Sequence, residues 1–284
     1  MKNGPASTRF LAFILAAIAI AGPGAAEQQV YTTRTSVDWS ERVLRIDVSL
    51  DLSAAGLRLP EGRLDAERMI ERDIAALAKD AVFSLQADSY RTVEDAVSDR
   101  TIDPEALVAI AGLVHAESSA FSKDMRRFLA SYSLGLDAVA SLFLSGAGSS
   151  PIRAPLETAP TRDYTGIVIY AKGSLPVHGE AVEDRAEPCL FPRVYDSEMN
   201  LVVDRRFVAP EELSAAGGGV LGYASAIGAE AGRRIGTDPM RVMAIGLFGD
   251  RRTDYIISRE DALRILSSAG NRELLRQGKV LVVH

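Results

Sequence analysis

The sequence predicts an α+β chain of two lobes, with mixed, mostly antiparallel sheets and helices packed on one face. Three observations carry this. In the first half, apolar residues alternate and then recur three or four apart, the periods of a half-buried strand and an amphipathic helix. The second half holds short β-branched runs, without the regular strand–helix alternation of a doubly wound parallel fold. Between them, residues 146–162 (GAGSSPIRAPLETAPTR) concentrate Gly, Ser, Pro and Thr and read as a linker. The lobes are therefore placed at 27–145 and 163–284.

In chain order, Val37 and Trp39, then Val43, Leu44, Ile46, Val48, Leu50 and Leu52, give a strand pair turning at Ser40-Glu41-Arg42. From Asp65, read with Arg68 as a cap, Ile70, Ile74, Leu77, Ala81 and Leu85 form one helical stripe. Asp103-Pro104 starts a second helix, since Asp caps and proline suits the first turn. The segment FLASYSLGLDAVASLFL reads as a strand over Phe128–Leu134 or a helix over Leu136–Leu144. Further on, GIVIYA (166–171), RVYDSEMNLVVD, RVMAIGLF (241–248) and KVLVVH (279–284) are strands. Ser258-Arg259-Glu260-Asp261 resembles a capping box opening a helix, with Gly270-Asn271 as its stop. The glycine-rich AAGGGVLGY (215–223) reads as a flexible turn before a short helix carrying Tyr223.

Residues 1–26 have the form of an export signal. Lys2 and Arg9 precede an unbroken apolar run of twelve, Phe10 to Ala21, and Gly24-Ala25-Ala26 offers a cleavage site after Ala26. The run is short of the ~20 residues that cross a bilayer as a helix. A soluble periplasmic product with no integral membrane span after signal cleavage is expected. Without Lys2 and Arg9 the net charge moves from −6 to −8, which disfavours nucleic acid as a partner. One cysteine allows no internal disulfide, so stability rests on a core drawn from the 47% apolar residues.

Candidate chemistry is thin. Cys189, between Pro188 and Pro192, is followed by Leu190 and Phe191 and preceded by Glu180, Glu183, Asp184 and Glu187. Carboxylates raise a thiol pKa, and apolar neighbours favour burial, so Cys189 reads as a packed side chain. His115, His178 and His284 have no metal-site spacing. No nucleophile elbow or phosphate-binding glycine pattern is present. The arginine pairs 126–127, 205–206, 233–234 and 251–252 form an anion site only if several converge in space. No catalytic, cofactor-binding or metal residues are assigned.

The segments YTGIVIYAKG, PCLFPRVYDSEMNLVV, GGVLGYA, RVMAIGLFGDRRTDYIISREDALRIL and GKVLVV resemble an exported bacterial envelope family. That family is similar to small outer-membrane-type lipoproteins and to the N-terminal modules of flagellar outer-ring assembly proteins, with spirochaete-type relatives nearest. The resemblance covers about the last 120 residues. Where the family shows Asp-Ala-Arg-Gly, this chain has Tyr170-Ala171-Lys172-Gly173. A small apolar residue is usual at the position of Cys189, and the family's lipid-bearing cysteine is missing. The resemblance implies no catalytic residues and no cofactor. It implies a non-catalytic assembly or interaction role in the cell envelope, with an envelope or flagellar-apparatus protein as partner. The alternative is a periplasmic small-ligand-binding protein or enzyme using the His178–Cys189 region.

Overall fold

The computed structural model describes residues 30–59, 62–144, 149–215 and 218–284. The export signal at 1–26 lies outside them. Among the described residues no helix is long and apolar enough to cross a membrane. Among the described residues helices and strands take near-equal shares, 30% and 29%, and the strands form separate antiparallel and mixed sheets, so the fold is α+β as predicted.

Two compact units result. The first is built on β1 (Tyr31–Asp38), β2 (Val43–Asp51), β3 (His115–Phe121) and β4 (Arg127–Gly135), with most of α1 (Gly62–Phe83). Its sheet runs in the order β1-β2-β4-β3, with antiparallel hairpins at either side. Alternation fixes which face is buried: Leu44, Ile46, Val48 and Leu50 on β2, and Phe128, Ala130, Tyr132 and Leu134 on β4. A strand points successive side chains to opposite faces, so every second residue joins one core. On α1 the buried stripe is Ala66, Ile70, Ile74 and Ala78, and Leu77 is only half-buried. The Tyr31 hydroxyl donates to Asp73 Oδ2 at 2.7 Å, tying β1 to the helix.

Asp65 lies inside the first turn of α1, which starts at Gly62. It pairs with Arg68 at 3.7 Å rather than capping the helix. Strand β3 carries no apolar alternation: six of its seven residues are exposed. It is held by its hairpin with β4, where Phe121 faces Phe128.

The second unit includes the hairpin tip Trp39–Arg42, the stretch Asp80–Ile110 and everything from Gly135 onward. Its helices are α2 (Val93–Ser98), α3 (Pro104–Ala111), α4 (Leu136–Ser141), α5 (Pro210–Ser214), α6 (Ala229–Ile235), α7 (Arg259–Ser267) and α8 (Ala269–Arg276). Thr92 and Asp95 form a reciprocal capping box on α2. Asp103 Oδ1 accepts from the Glu105 N–H at 2.9 Å at the start of α3, as the sequence indicates. The ambiguous segment is both things in turn, strand β4 and then helix α4.

The strands of this unit are β5 (Ile167–Tyr170), the small pair β6 (Leu175–Pro176) and β7 (Glu183–Asp184), then β8 (Val194–Asp196), β9 (Leu201–Val203), β10 (Gly222–Ala224), β11 (Met240–Phe248), β12 (Asp254–Ile257) and β13 (Val280–Val283). Seven of them form one mixed sheet in the order β10-β13-β5-β11-β12-β8-β9. The pairings from β10 to β11 are parallel, as is β12 with β8. β11 with β12 and β8 with β9 are antiparallel. Val168, Leu281 and Val283 pack with Ile235 of α6 on one face.

Two local expectations are corrected. Gly270-Asn271 does not end a helix: Ser268 accepts from the Asn271 N–H at 3.3 Å and begins α8 directly after α7. Tyr223 belongs to strand β10, parallel to Val282, and not to a helix.

Candidate functional site

Cys189 is fully buried. Its N–H donates to the Tyr223 hydroxyl, which in turn donates to the Cys189 carbonyl, both at 3.1 Å. The following residues are also pinned: the Leu190 and Phe191 N–H groups donate to the Gln86 and Ala87 carbonyls at 3.0 and 2.9 Å. Burial pushes the thiol up to about 12, aided by the charges of Asp254 and Asp88 and opposed by a hydrogen bond with Thr253. A thiol so placed holds its proton and is no nucleophile at neutral pH. His178 is exposed, with its ring edge-on to Phe248 at 6.0 Å between centroids. No hydrogen bond joins it to Cys189. The acids of the HGEAVED loop are engaged by Arg252, which meets Glu180 at 2.9 Å and Asp184 at 3.5 Å.

Beside Cys189 lies a buried polar group of another kind. Asp254 has no exposed surface. Its Oδ1 accepts from the Arg193 N–H at 2.9 Å, and its Oδ2 has no partner. Burial raises it to about 6, against the lowering effect of the Arg193 N–H bond and the Arg193 charge.

The arginine pairs are mostly used locally. Arg206 binds Asp204 at 2.8 Å, and Arg205 lies over the Phe191 ring at 5.1 Å. Arg234 is different, because it meets an arginine that sequence reading placed only in a turn. Arg42 sits at the tip of the β1–β2 hairpin with φ 54°, where its carbonyl accepts from the Leu136 N–H at 2.8 Å. Its side chain runs inward, and the residue is only 3% exposed. None of Nε, Nη1 and Nη2 has a hydrogen-bond partner.

These two arginines line a cleft of about 590 Å³ within the second unit, walled by the hairpin tip, α5, β10, α6 and the turn before β13. Glycines make the room. Gly219 has φ +101°, and a β-carbon there would lie 2.7 Å from Arg42 Nη1. At Gly222 a β-carbon would lie 2.9 Å from Arg234 Nε. Arg234 donates from Nη1 to the Gly278 carbonyl and from Nη2 to the Gly218 carbonyl, each at 2.6 Å. It is a brace that holds both loops.

Burial depresses both guanidinium groups. Arg234 falls to about 10, with the Arg42 charge adding to the effect and Glu212 opposing it. Arg42 is lowered by burial and partly restored by Tyr223 and Asp137. Both remain cations at neutral pH. Around them, Arg42, Arg233, Arg234 and Lys279 face Glu41 and Glu212, four bases against two acids. An unpartnered cation taken out of water costs several kcal/mol. The lining is net positive, which favours an anion over a cation in the cleft, and the described lining residues include no nucleophile–base pair. The sequence signal for the cleft was AAGGGVLGY, whose glycines seat guanidinium groups.

Residues 30–142 match the family described as Treponema pallidum Tp0624, N-terminal domain, and residues 166–284 match Treponema pallidum Tp0624, second domain. No curated protein matches the chain. The second match covers the C-terminal stretch on which a spirochaete likeness was expected. The first extends the likeness into the first half, which the resemblance seen in the sequence did not cover. Neither description mentions lipoproteins or flagella. The two matched stretches follow one another along the chain, residues 30–142 resembling the Tp0624 N-terminal domain and residues 166–284 its second domain.

Proposed function

We propose that this protein is an exported, non-catalytic envelope component that works by binding, and that the Arg42–Arg234 cleft receives an anionic group of its partner. The observation that carries the reading is the basic lining of this cleft, Arg42, Arg233, Arg234 and Lys279 against Glu41 and Glu212. The export signal at 1–26 supports a periplasmic location with cleavage after Ala26. The resemblance of residues 164–284 to envelope modules supports a role in assembly, with the flagellar apparatus as one setting. The rival reading, an enzyme or small-ligand binder at His178–Cys189, is weakened by the sealed thiol and the exposed, separate histidine.

Two measurements test this. Fractionation of cells expressing the full chain, beside a form lacking residues 1–26, reads export; equal cytosolic retention of both overturns the location. Titration with sulfate, followed by calorimetry, reads the cleft. Wild-type protein binds and Arg42→Gln loses about tenfold or more in affinity, the worth of one charge-assisted bond. Equal binding by both proteins refutes the assignment.

A further inference from the structure

One end of the first unit's sheet is basic, although the chain as a whole carries −6. The start of β1, the end of β2 and the β3–β4 turn meet there. The Val30 carbonyl accepts from the Asp51 N–H, and the Arg126 carbonyl accepts from the Leu52 N–H, both at 3.0 Å. Arg58, Lys123, Arg126 and Arg127 are exposed at this end. Three ion pairs of the unit, Arg63–Glu67, Arg68–Asp65 and Arg72–Asp73, lie on α1. The four end cations take part in none among the described residues. Two neighbouring acids are turned into their own loops. Asp51 Oδ1 accepts from the Ala54 N–H at 3.0 Å. Asp124 Oδ1 accepts from the Ser122 hydroxyl at 2.6 Å and from the Arg126 N–H at 3.2 Å.

An apolar side chain stands among these cations. Met125 is 53% exposed and holds φ 58°, with its N–H donating to the Ser122 carbonyl at 2.9 Å. Glycine or asparagine fits such a turn position with less strain and no apolar exposure; methionine incurs both costs. Beside it opens a groove of about 670 Å³, lined by Leu52, Leu57, Leu59 and Met125 together with Arg58 and Arg126.

Cations around a projecting apolar side chain match a bilayer surface, whose headgroup phosphates are anionic and whose acyl boundary accepts a methionine. A protein partner fits less well. A stable protein interface engages roughly 20–30 residues a side, and this end offers one turn and one short loop. The entry of the chain is a second argument. The leader is expected to be cut after Ala26, and the few residues from that cut to Val30 span at most about 14 Å when extended. On the export proposed above, this end is held near the membrane while the leader is cut. We infer that the end formed by loop 53–59 and turn 122–127 is a docking surface for an anionic phospholipid bilayer. Met125 enters the interface, and the cations meet headgroup phosphates.

The protein as recovered from cells is sedimented, at about 0.05 M salt, with vesicles of phosphatidylcholine alone and with vesicles holding about 30% phosphatidylglycerol. Binding is about tenfold or more tighter to the anionic vesicles, since each Lys or Arg at such a surface is worth about fivefold. Salt at about 0.5 M releases it. Lys123→Gln together with Arg126→Gln lowers the affinity about tenfold or more. Met125→Ser keeps every charge and still weakens binding about threefold or more, because the inserted side chain is gone. Urea midpoints of the variants report that they fold.

Equal sedimentation with both vesicles, or with neither, overturns the inference in the wild-type protein alone. Anionic-vesicle binding that survives the double exchange at Lys123 and Arg126 places the contact elsewhere on the surface and overturns it too. Release from the vesicles by millimolar inorganic phosphate at constant ionic strength marks a pocket for the free ion. Tighter binding to polyglutamate than to anionic vesicles marks an acidic polypeptide. Either result removes the bilayer as the occupant. The Arg42–Arg234 cleft is untouched by these variants, so its anion binding stands or falls separately.

Discussion

Asp254 should give this protein an inverted acid response in its second unit. The carboxyl has no exposed surface, one oxygen bonded to the Arg193 N–H and the other without a partner. Burial lifts it from 3.8 to about 6. Between those values the folded protein holds a proton that the unfolded chain has released. Stability from this group is therefore fully present below pH ~4 and is lost as pH rises through about 6. At 1.36 kcal/mol per pH unit, the whole effect is about 3 kcal/mol. Other carboxylates act oppositely: Asp204 is held low by Arg206 and Arg193 against its burial and loses its contribution as pH falls. The clean measurement is thus a difference. Urea unfolding of wild type and Asp254→Asn is followed by circular dichroism from pH 4 to pH 8. The amide cannot ionise, so the variant gains on wild type by about 2 kcal/mol across pH 4–6.5, whatever constant offset its own packing adds. A difference that stays flat within about 0.5 kcal/mol, or that runs the other way, shows the buried carboxylate is not destabilising and refutes the reasoning.

Other substitutions probe separate links. Iodoacetamide at pH 8 leaves Cys189 unmodified in the folded protein and labels it fully in urea, because a thiol pushed to about 12 has almost no thiolate; stoichiometric labelling of native protein contradicts its burial. Gly219→Ala combines a positive φ with a β-carbon 2.7 Å from Arg42 Nη1. It should destabilise by about 1–3 kcal/mol and weaken anion binding together, and unchanged stability and binding would place the loop elsewhere. Thr92→Ala removes the capping oxygen that accepts from the Asp95 N–H and costs about 1 kcal/mol, read from the urea midpoint. A loss under about 0.3 kcal/mol means that α2 owes its start to packing alone.

Legibility in the sequence followed how local each cause was. β2 and β4 show in the alternation of Leu44–Leu50 and Phe128–Leu134, because half-burial writes itself into every second residue. β13 shows as a β-branched run because all four of its side chains are buried in the sheet, whereas β11 shows as an apolar run although Arg241, Met243 and Ile245 are exposed. β3 is invisible: HAESSAF has nothing apolar before Phe121, and the strand exists because β4 offers it a partner. Tyr223 was misplaced for a related reason. Its strand is three residues long and owes its form to pairing with Leu281–Val283, far along the chain.

The site was less legible than the fold. Cys189 was read correctly as packed, since its neighbours decide that. Arg42 looked like any charged turn residue. Its burial depends on a cradle at Gly219, and nothing in its own surroundings records it. Distant pairs of this kind are where patterns read in short windows stop.

The position of β13 has a temporal consequence. This strand, the last element in chain order, lies between β10 and β5 in the interior of the large sheet. Until residues 280–283 leave the ribosome, β5 lacks its neighbour and β10 has nothing to pair with. Closure by such distant parallel pairing is slow. A sheet wired this way stays open on that side until residues 280–283 have been made, and its arginine-lined recess closes only after they slide into place.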